Sequence, residues 1–474
     1  MSKGIGFFLA WSGSGDSRNH IQTVYNIAWN GYLDLIDVGS PLLTSTIGTF
    51  LNSGSPIELG SDSSFRLLSD WTSYSLTWAL LICILGYAFA AVWEVVLPQS
   101  SKKSIYLVLI PASALSLTSL SLGTFLMDGF ITATAGAISV AFATALLFEN
   151  SPKSPATNLF TLFLVATLAL FSWTFIVIPV LIMMVPLYIK WLNLAGSSVW
   201  IWARVLLTLM GIAVVWYLFS TYYLLDLLLA ALDASGSITT AHPKSFKILL
   251  VGILVLAAIS SKRNSPTIFQ LSLVAFSAAS LILILNKASG IPLTHLNYYS
   301  SKAMMILFVG LLPTALLFIP KGLRLVDAPH TNLAIRIPIA CALVTVLTQM
   351  GAQYVSPFPG ILGRINAGWE GPNANTVSQI LPLANDPYNP VVFVNYLASE
   401  NRIANFWFGT YAEPWAYYQS WSYLSDEDQT GDYPAFCFLN RGYPQMTVYT
   451  RDENFRSKMQ AYCRDEKMII NIIR

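Results

Sequence analysis

Asn158-Leu-Phe-Thr-Leu-Phe-Leu-Val-Ala-Thr-Leu-Ala-Leu-Phe-Ser172-Trp173-Thr-Phe-Ile-Val-Ile-Pro179-Val-Leu-Ile-Met-Met-Val-Pro-Leu-Tyr-Ile-Lys190 carries no charged side chain before its last residue. A helix needs roughly 20 apolar residues to cross a bilayer, so this run is too long for one untilted span and too apolar for an aqueous loop. Ser172-Trp173 and Pro179 offer a break, and the run reads as a tight hairpin or a broken helix inside hydrocarbon.

The composition says the same of the whole chain. Of 474 residues, 55% are hydrophobic and 11% charged, and the mean hydropathy is +0.58; a soluble chain carries about 25% charged residues. The net charge of +2 gives no argument for nucleic acid as a partner. Four cysteines are too few for a disulfide scaffold, and Cys83 and Cys341 lie in apolar runs while Cys437 and Cys463 lie in a polar tail.

Working outward from 158–190, apolar runs predict spans at about 76–97, 105–127, 129–148, 158–172, 174–190, 199–225, 246–260, 266–286, 303–319 and 335–353. Upstream, Tyr32, Leu35, Ile36, Leu43, Ile47 and Phe50 recur at helical spacing around Pro41, as in short amphipathic helices lying at an interface. Gly4 to Trp11 is a half-length apolar run and reads as the remnant of a truncated first span.

Lys102 with Lys103, Lys153, Lys190, Lys262 with Arg263, and Lys321 with Arg324 fall in alternate loops, which the positive-inside rule places in the cytoplasm. The remaining loops and the tail are then outside. Beyond about residue 354 apolar runs shorten to strand length, at Val391–Asn395, Ala435–Leu439, Met446–Thr450 and Met468–Ile473, with helix composition over Asp452–Cys463. The expected fold is therefore an α-helical polytopic membrane protein of about ten spans with a small α/β extracytoplasmic C-terminal domain. Residues 1–75 form a first extracytoplasmic loop with interfacial helices, 76–353 the transmembrane bundle and 354–474 the outer domain. Cys437 and Cys463 share that domain on the oxidising side, so a disulfide between them is expected.

Three outer features carry chemistry. Trp11-Ser-Gly-Ser-Gly-Asp16-Ser-Arg18-Asn-His20 is a Gly/Ser-rich turn that presents a carboxylate, a guanidinium and an imidazole within five residues. Asp16 could serve as a general base, with Arg18 binding phosphate and His20 binding substrate beside it. Asp128 is the single charge in a turn between two spans, either a second catalytic carboxylate or a polar plug. His295-Leu-Asn-Tyr298-Tyr299-Ser-Ser-Lys302 ends where a span begins. It is either a set of interface anchors or a headgroup site in which Lys302 and a tyrosine hold a lipid phosphate while His295 assists. No Walker loop, dinucleotide fingerprint, His-Glu-x-x-His or Gly-x-Ser-x-Gly competes with these.

With Gly15-Asp16-Ser-Arg18-Asn-His20 in a first outer loop and Tyr298-Tyr299-Ser-Ser-Lys302 before a late span, the chain resembles the membrane glycosyltransferases of the C fold (GT-C). The resemblance covers the whole chain as architecture and a few residues as motif. It implies an inverting transfer from a polyprenyl-phosphate sugar to an envelope glycan, lipid or protein acceptor at the outer face of the plasma membrane. Asp16, or Asp128 as second choice, would deprotonate the acceptor. Arg18, Lys302 or a divalent cation would steady the leaving phosphate. The competing classes are a transporter or flippase, which would favour charged sites near the midplane and internal repeats, and a non-catalytic envelope assembly protein.

Overall fold

The structure is a computed structural model that describes residues 63–96, 125, 131–149, 155–193, 200–206, 208–210, 213, 243–260, 265–289, 297–317, 391–394, 445–450, 454, 457, 461 and 469–473. Its helices are α1 (Ser63–Val96), α2 (Ile131–Phe148), α3 (Pro155–Ser172), α4 (Val177–Asn193), α5 (Pro243–Ser260), α6 (Ser265–Ala288) and α7 (Tyr298–Leu316), with a 3-10 turn at Thr174–Ile176 before α4. Five described helices are long and apolar enough to cross a membrane. The expected spans at 105–127 and 335–353 lie outside the described residues, and within 199–225 a short apolar helix at Trp200–Met210 is seen.

The bundle has a centre and a periphery. In Ile131–Phe148 and in Tyr298–Leu316 89% of the residues of the apolar stretch are buried, against 33% in Thr174–Leu192 and 39% in Ile268–Ala288. The peripheral helices turn large apolar side chains outward, among them Phe160 and Phe163 on α3, Leu181 and Val185 on α4, and Phe269 and Phe276 on α6. A hydrocarbon surround makes this arrangement stable, since lipid tails are as apolar as the side chains they meet.

What sends α2 to the centre is its composition. Ala133, Ala135, Gly136, Ala137, Ser139, Ala141, Ala143 and Ala145 give it a narrow profile, and close approach is how helices gain attraction in lipid. At Gly310 of α7 an added Cβ would lie 2.7 Å from Val140 Cβ and 2.9 Å from the Ala137 carbonyl oxygen; one at Gly136 would lie 3.0 Å from Ile306 Cγ2. At Gly310 the α7 backbone thus lies directly against Val140 and the Ala137 carbonyl of α2.

These pairings also fix directions. Gly136 neighbours Ile176 and Ile306, and further along Thr144 donates to Met183 Sδ while Gly310 meets Val140, so α2, α4 and α7 run the same way. Helix α6 runs opposite: Gln270 near its start donates to the Leu147 carbonyl at the end of α2, and Asn286 near its end accepts from the Asn297 N–H before α7. One end of the bundle therefore gathers the starts of α2, α4 and α7 with the close of α6.

The break expected in 158–190 falls at Trp173, whose backbone is extended at φ −150° and ψ 97°. Helices α3 and α4 pack on each other across it, giving the hairpin of the two alternatives. Polar groups bared by the break are satisfied locally, as hydrocarbon demands. The Trp173 and Ile176 N–H groups donate to the Ala169 and Trp173 carbonyls, and the Ser172 and Thr174 hydroxyls to those of Ala169 and Leu170.

Two helix starts differ from expectation by five residues or more. Helix α1 begins at Ser63 instead of 76, because hydropathy marks where a helix enters an apolar layer while Ser63–Ser75 holds no Pro or Gly to stop it. Helix α7 begins at Tyr298 instead of 303, because Asn297 caps it: its side chain accepts the Ser300 N–H at 2.5 Å.

In the C-terminal region three of the four expected strands are described, β1 (Val391–Val394), β2 (Gln445–Thr450) and β3 (Ile469–Ile473). They form a parallel sheet in the order β1-β2-β3, with Val391 opposite Thr447 and Gln445 opposite Ile469. The fourth, Ala435–Leu439, lies outside the described residues.

Candidate functional site

The end at which α2, α4 and α7 begin carries an aromatic wall. Trp173, set by the break, faces Tyr299 in the first turn of α7, their rings nearly parallel at 17° and 6.4 Å between centroids. Phe175 meets both edge-on, at 5.4 Å from Trp173 and 5.7 Å from Tyr299, and Tyr298 stands at 88° to Tyr299 at 5.2 Å. Edge-to-face and offset arrangements are the favourable ones for ring quadrupoles.

Beside this wall lies a cation. Lys302, one turn into α7, holds its Nζ 5.7 Å from the Tyr298 ring centroid, within cation–π range. Its residue is only 6% exposed. A loop lysine would reach into water; this one belongs to a helix flank against the most buried part of the bundle, so its stem is covered by protein. The expected grouping of Tyr298, Tyr299 and Lys302 is thus found, in the opening turns of a helix instead of a loop.

The start of α7 is rigidly held. Asn297 is buried; its N–H donates to Asn286 Oδ1 at 3.3 Å and its side-chain amide to the Leu285 carbonyl at 3.5 Å. Asn286 is fully buried in the last turns of α6, so α6 and α7 are joined by a polar clasp where each ends or begins. The Ser300 hydroxyl, also fully buried, finds no hydrogen-bond partner among the described residues.

No protein-family model, curated protein or solved structure matches the chain.

Of the other expected site residues, Asp16, Arg18, His20, Asp128 and His295 lie outside the described residues, as do Cys437 and Cys463. Asp128 precedes the first residue of α2 by three positions, and His295 precedes Asn297 by two. Among the described residues no cluster of three His, Cys, Asp or Glu could hold a metal ion. Sequence reasoning missed Trp173 and Phe175 as partners of Tyr299, and Asn286 as the clasp for Asn297. Trp173 signals a break in the sequence, but nothing there says which helix start it will face. A cation held over one ring of an aromatic cluster at the end of an apolar bundle can steady an anion while rings cover its apolar neighbour.

Proposed function

We propose that the protein transfers a glycosyl group from a polyprenyl-phosphate sugar to an envelope glycan, lipid or protein acceptor at the outer face of the membrane, in the manner of GT-C glycosyltransferases. The observation that carries this reading is the buried residue Lys302, whose ammonium lies over the ring of Tyr298, itself packed on Tyr299 and through it on Trp173 and Phe175, so that charge and aromatic surface are offered together. A lipid phosphate needs both.

In this reading the chain has about ten spans and a small α/β outer domain. The shared direction of α2, α4 and α7, opposite to α6, agrees with the lysine and arginine alternation that puts their starts outside. The Asp16 carboxylate takes the proton of the acceptor hydroxyl, whose oxygen attacks the anomeric carbon. The bond from that carbon to the phosphate oxygen breaks, and the lipid phosphate leaves with its electron pair. Lys302, with Arg18 or a divalent cation, meets the charge that develops on it. His20 and His295 assist in binding substrate in this reading, and Asp128 is the second candidate for the base.

The test uses the purified full-length protein with a panel of polyprenyl-phosphate sugars, scored by lipid-phosphate release. Asp16→Asn should lower turnover about 100-fold or more, with donor binding within a few-fold, while Lys302→Ala should weaken donor binding more than it alters folding. If Asp16→Asn and Asp128→Asn both turn over normally, or no donor is consumed, the transfer reading fails and transport or assembly replaces it.

A further inference from the structure

At the opposite end of α4 from the aromatic wall, a second basic feature stands on its own observations. Thr174 to Lys190 rises about 25 Å as a helix, close to the thickness of the hydrocarbon layer. Lys190 in the last turn is exposed. Its neighbour Trp191 carries the guanidinium of Arg204 over its ring, 4.6 Å from the centroid, and Arg204 Nη1 donates to the Trp191 carbonyl at 2.5 Å. Tyr188 donates to Thr208 Oγ1 at 2.9 Å, so the short helix Trp200–Met210 is tied to the end of α4 at two points.

The side chains around Arg204 are of two kinds. Trp200 and Trp202 are 64% and 71% exposed, and Leu206 and Leu209 also face outward, continuing the outward apolar face of Leu181, Val185 and Ile189. Between Glu149 and Asp226 the sequence has no acidic residue, while Lys153, Lys190 and Arg204 are all cationic. A protein partner could supply an acid, but the flanking surface continues the one that faces lipid. The one hydrogen bond that the Arg204 guanidinium donates among the described residues uses Nη1, and a guanidinium has five N–H donors.

We propose that this corner binds the headgroup of an anionic phospholipid, with the phosphate on Arg204 and Lys190 and the acyl chains along Trp202 and Leu206. Arg suits phosphate through its planar fork, and exposed tryptophans fit the headgroup boundary. Two cations on adjoining helix ends set the preference for a headgroup of net negative charge. This inference needs only that the helices lie in a membrane and is independent of glycosyl transfer.

The experiment is native mass spectrometry of the full-length protein in micelles titrated with phosphatidylglycerol or phosphatidylcholine. Wild type should retain phosphatidylglycerol at concentrations where phosphatidylcholine is lost. Lys190→Gln should weaken that retention about fivefold, the effect of one cation near an anionic headgroup. Arg204→Lys keeps the charge but not the fork and should also weaken it, while Lys287→Gln, at the end of α6, should leave it unchanged. Equal retention of the two lipids overturns the proposal. So does retention that Lys190→Gln leaves intact, or that Lys287→Gln lowers as much; these two outcomes decide it even if Arg204→Lys fails to fold.

Discussion

Adding one methyl group at Gly310 should be among the most damaging small changes in this bundle. The new Cβ would lie 2.7 Å from Val140 Cβ, 2.9 Å from Val140 Cγ1 and 2.9 Å from the Ala137 carbonyl oxygen. Carbon atoms pack best at about 3.5–4.0 Å, so the shortfall is about 1 Å. No rotamer relieves it, because Val140 Cβ and the Ala137 oxygen move only with the backbone. Helices α2 and α7 would have to part by about that distance, loosening the Gly136–Ile306 contact as well. Overpacking of this kind costs about 1–3 kcal/mol, and the helix preference of Ala over Gly returns about 1 kcal/mol at most. Gly310→Ala should therefore lose about 2 kcal/mol at the upper end of that range. Gly252 in α5, where an added Cβ meets no atom within 4 Å, is the matched control, and Gly252→Ala should be neutral or slightly stabilising. The assay is the apparent thermal midpoint in detergent at one fixed scan rate, since unfolding of such proteins is a rate process. Val140→Ala in the Gly310→Ala background should restore part of the loss, because the Cβ and carbonyl contacts remain. A Gly310→Ala midpoint equal to wild type, or two glycine variants that shift together, would refute the close-packed centre.

Three further outcomes are expected. Trp93→Phe keeps an aromatic ring but removes the indole N–H that donates 2.9 Å to the Pro313 carbonyl together with some buried bulk, and should lower stability by about 1 kcal/mol or more; an unchanged midpoint would show that the bond adds nothing net. Asn297→Ala removes the cap on Ser300 and the link to Leu285 and should cost about 1–2 kcal/mol, with Asn297→Ser intermediate because it keeps the cap alone; Ser and Ala variants of equal stability would remove the cap from the account. Cys437 and Cys463 should be joined by a disulfide worth about 3 kcal/mol, since about 25 residues intervene, and two free thiols in non-reduced protein by mass spectrometry would rule it out.

How much of this was legible in the sequence differs from element to element. The α3–α4 hairpin could be read because an apolar run longer than a membrane is thick must bend, and Ser172-Trp173 marks where. The start of α7 was misplaced because an apolar-run criterion looks for hydrocarbon while Asn297, followed three positions later by Ser300, is a capping signal of another kind. Lys302 could be grouped with its tyrosines by sequence adjacency. Its burial could not, because the cover comes from packing against other helices. The small residues of α2 announce a helix made for close approach, yet nothing in Ala137 or Val140 names Gly310 as the residue they approach. Partner choice between distant helices is written in surface shape, which appears only after folding.

The same long-range contact sets a clock on the making of this protein. The Trp93 indole donates to a carbonyl 220 residues further along the chain. At roughly 5–20 residues per second of synthesis, α1 and α2 leave the ribosome about 10–40 s before α7 exists to receive them. For that interval α2 can already lie against α1, α3 and α4 as each is made, but the side that meets Gly310 lacks its partner. A nascent chain stalled before residue 298 should therefore be open there to capture by whatever small-residue helix it meets first, and proteolysis of nascent chains should find the early helices vulnerable until α7 closes over them.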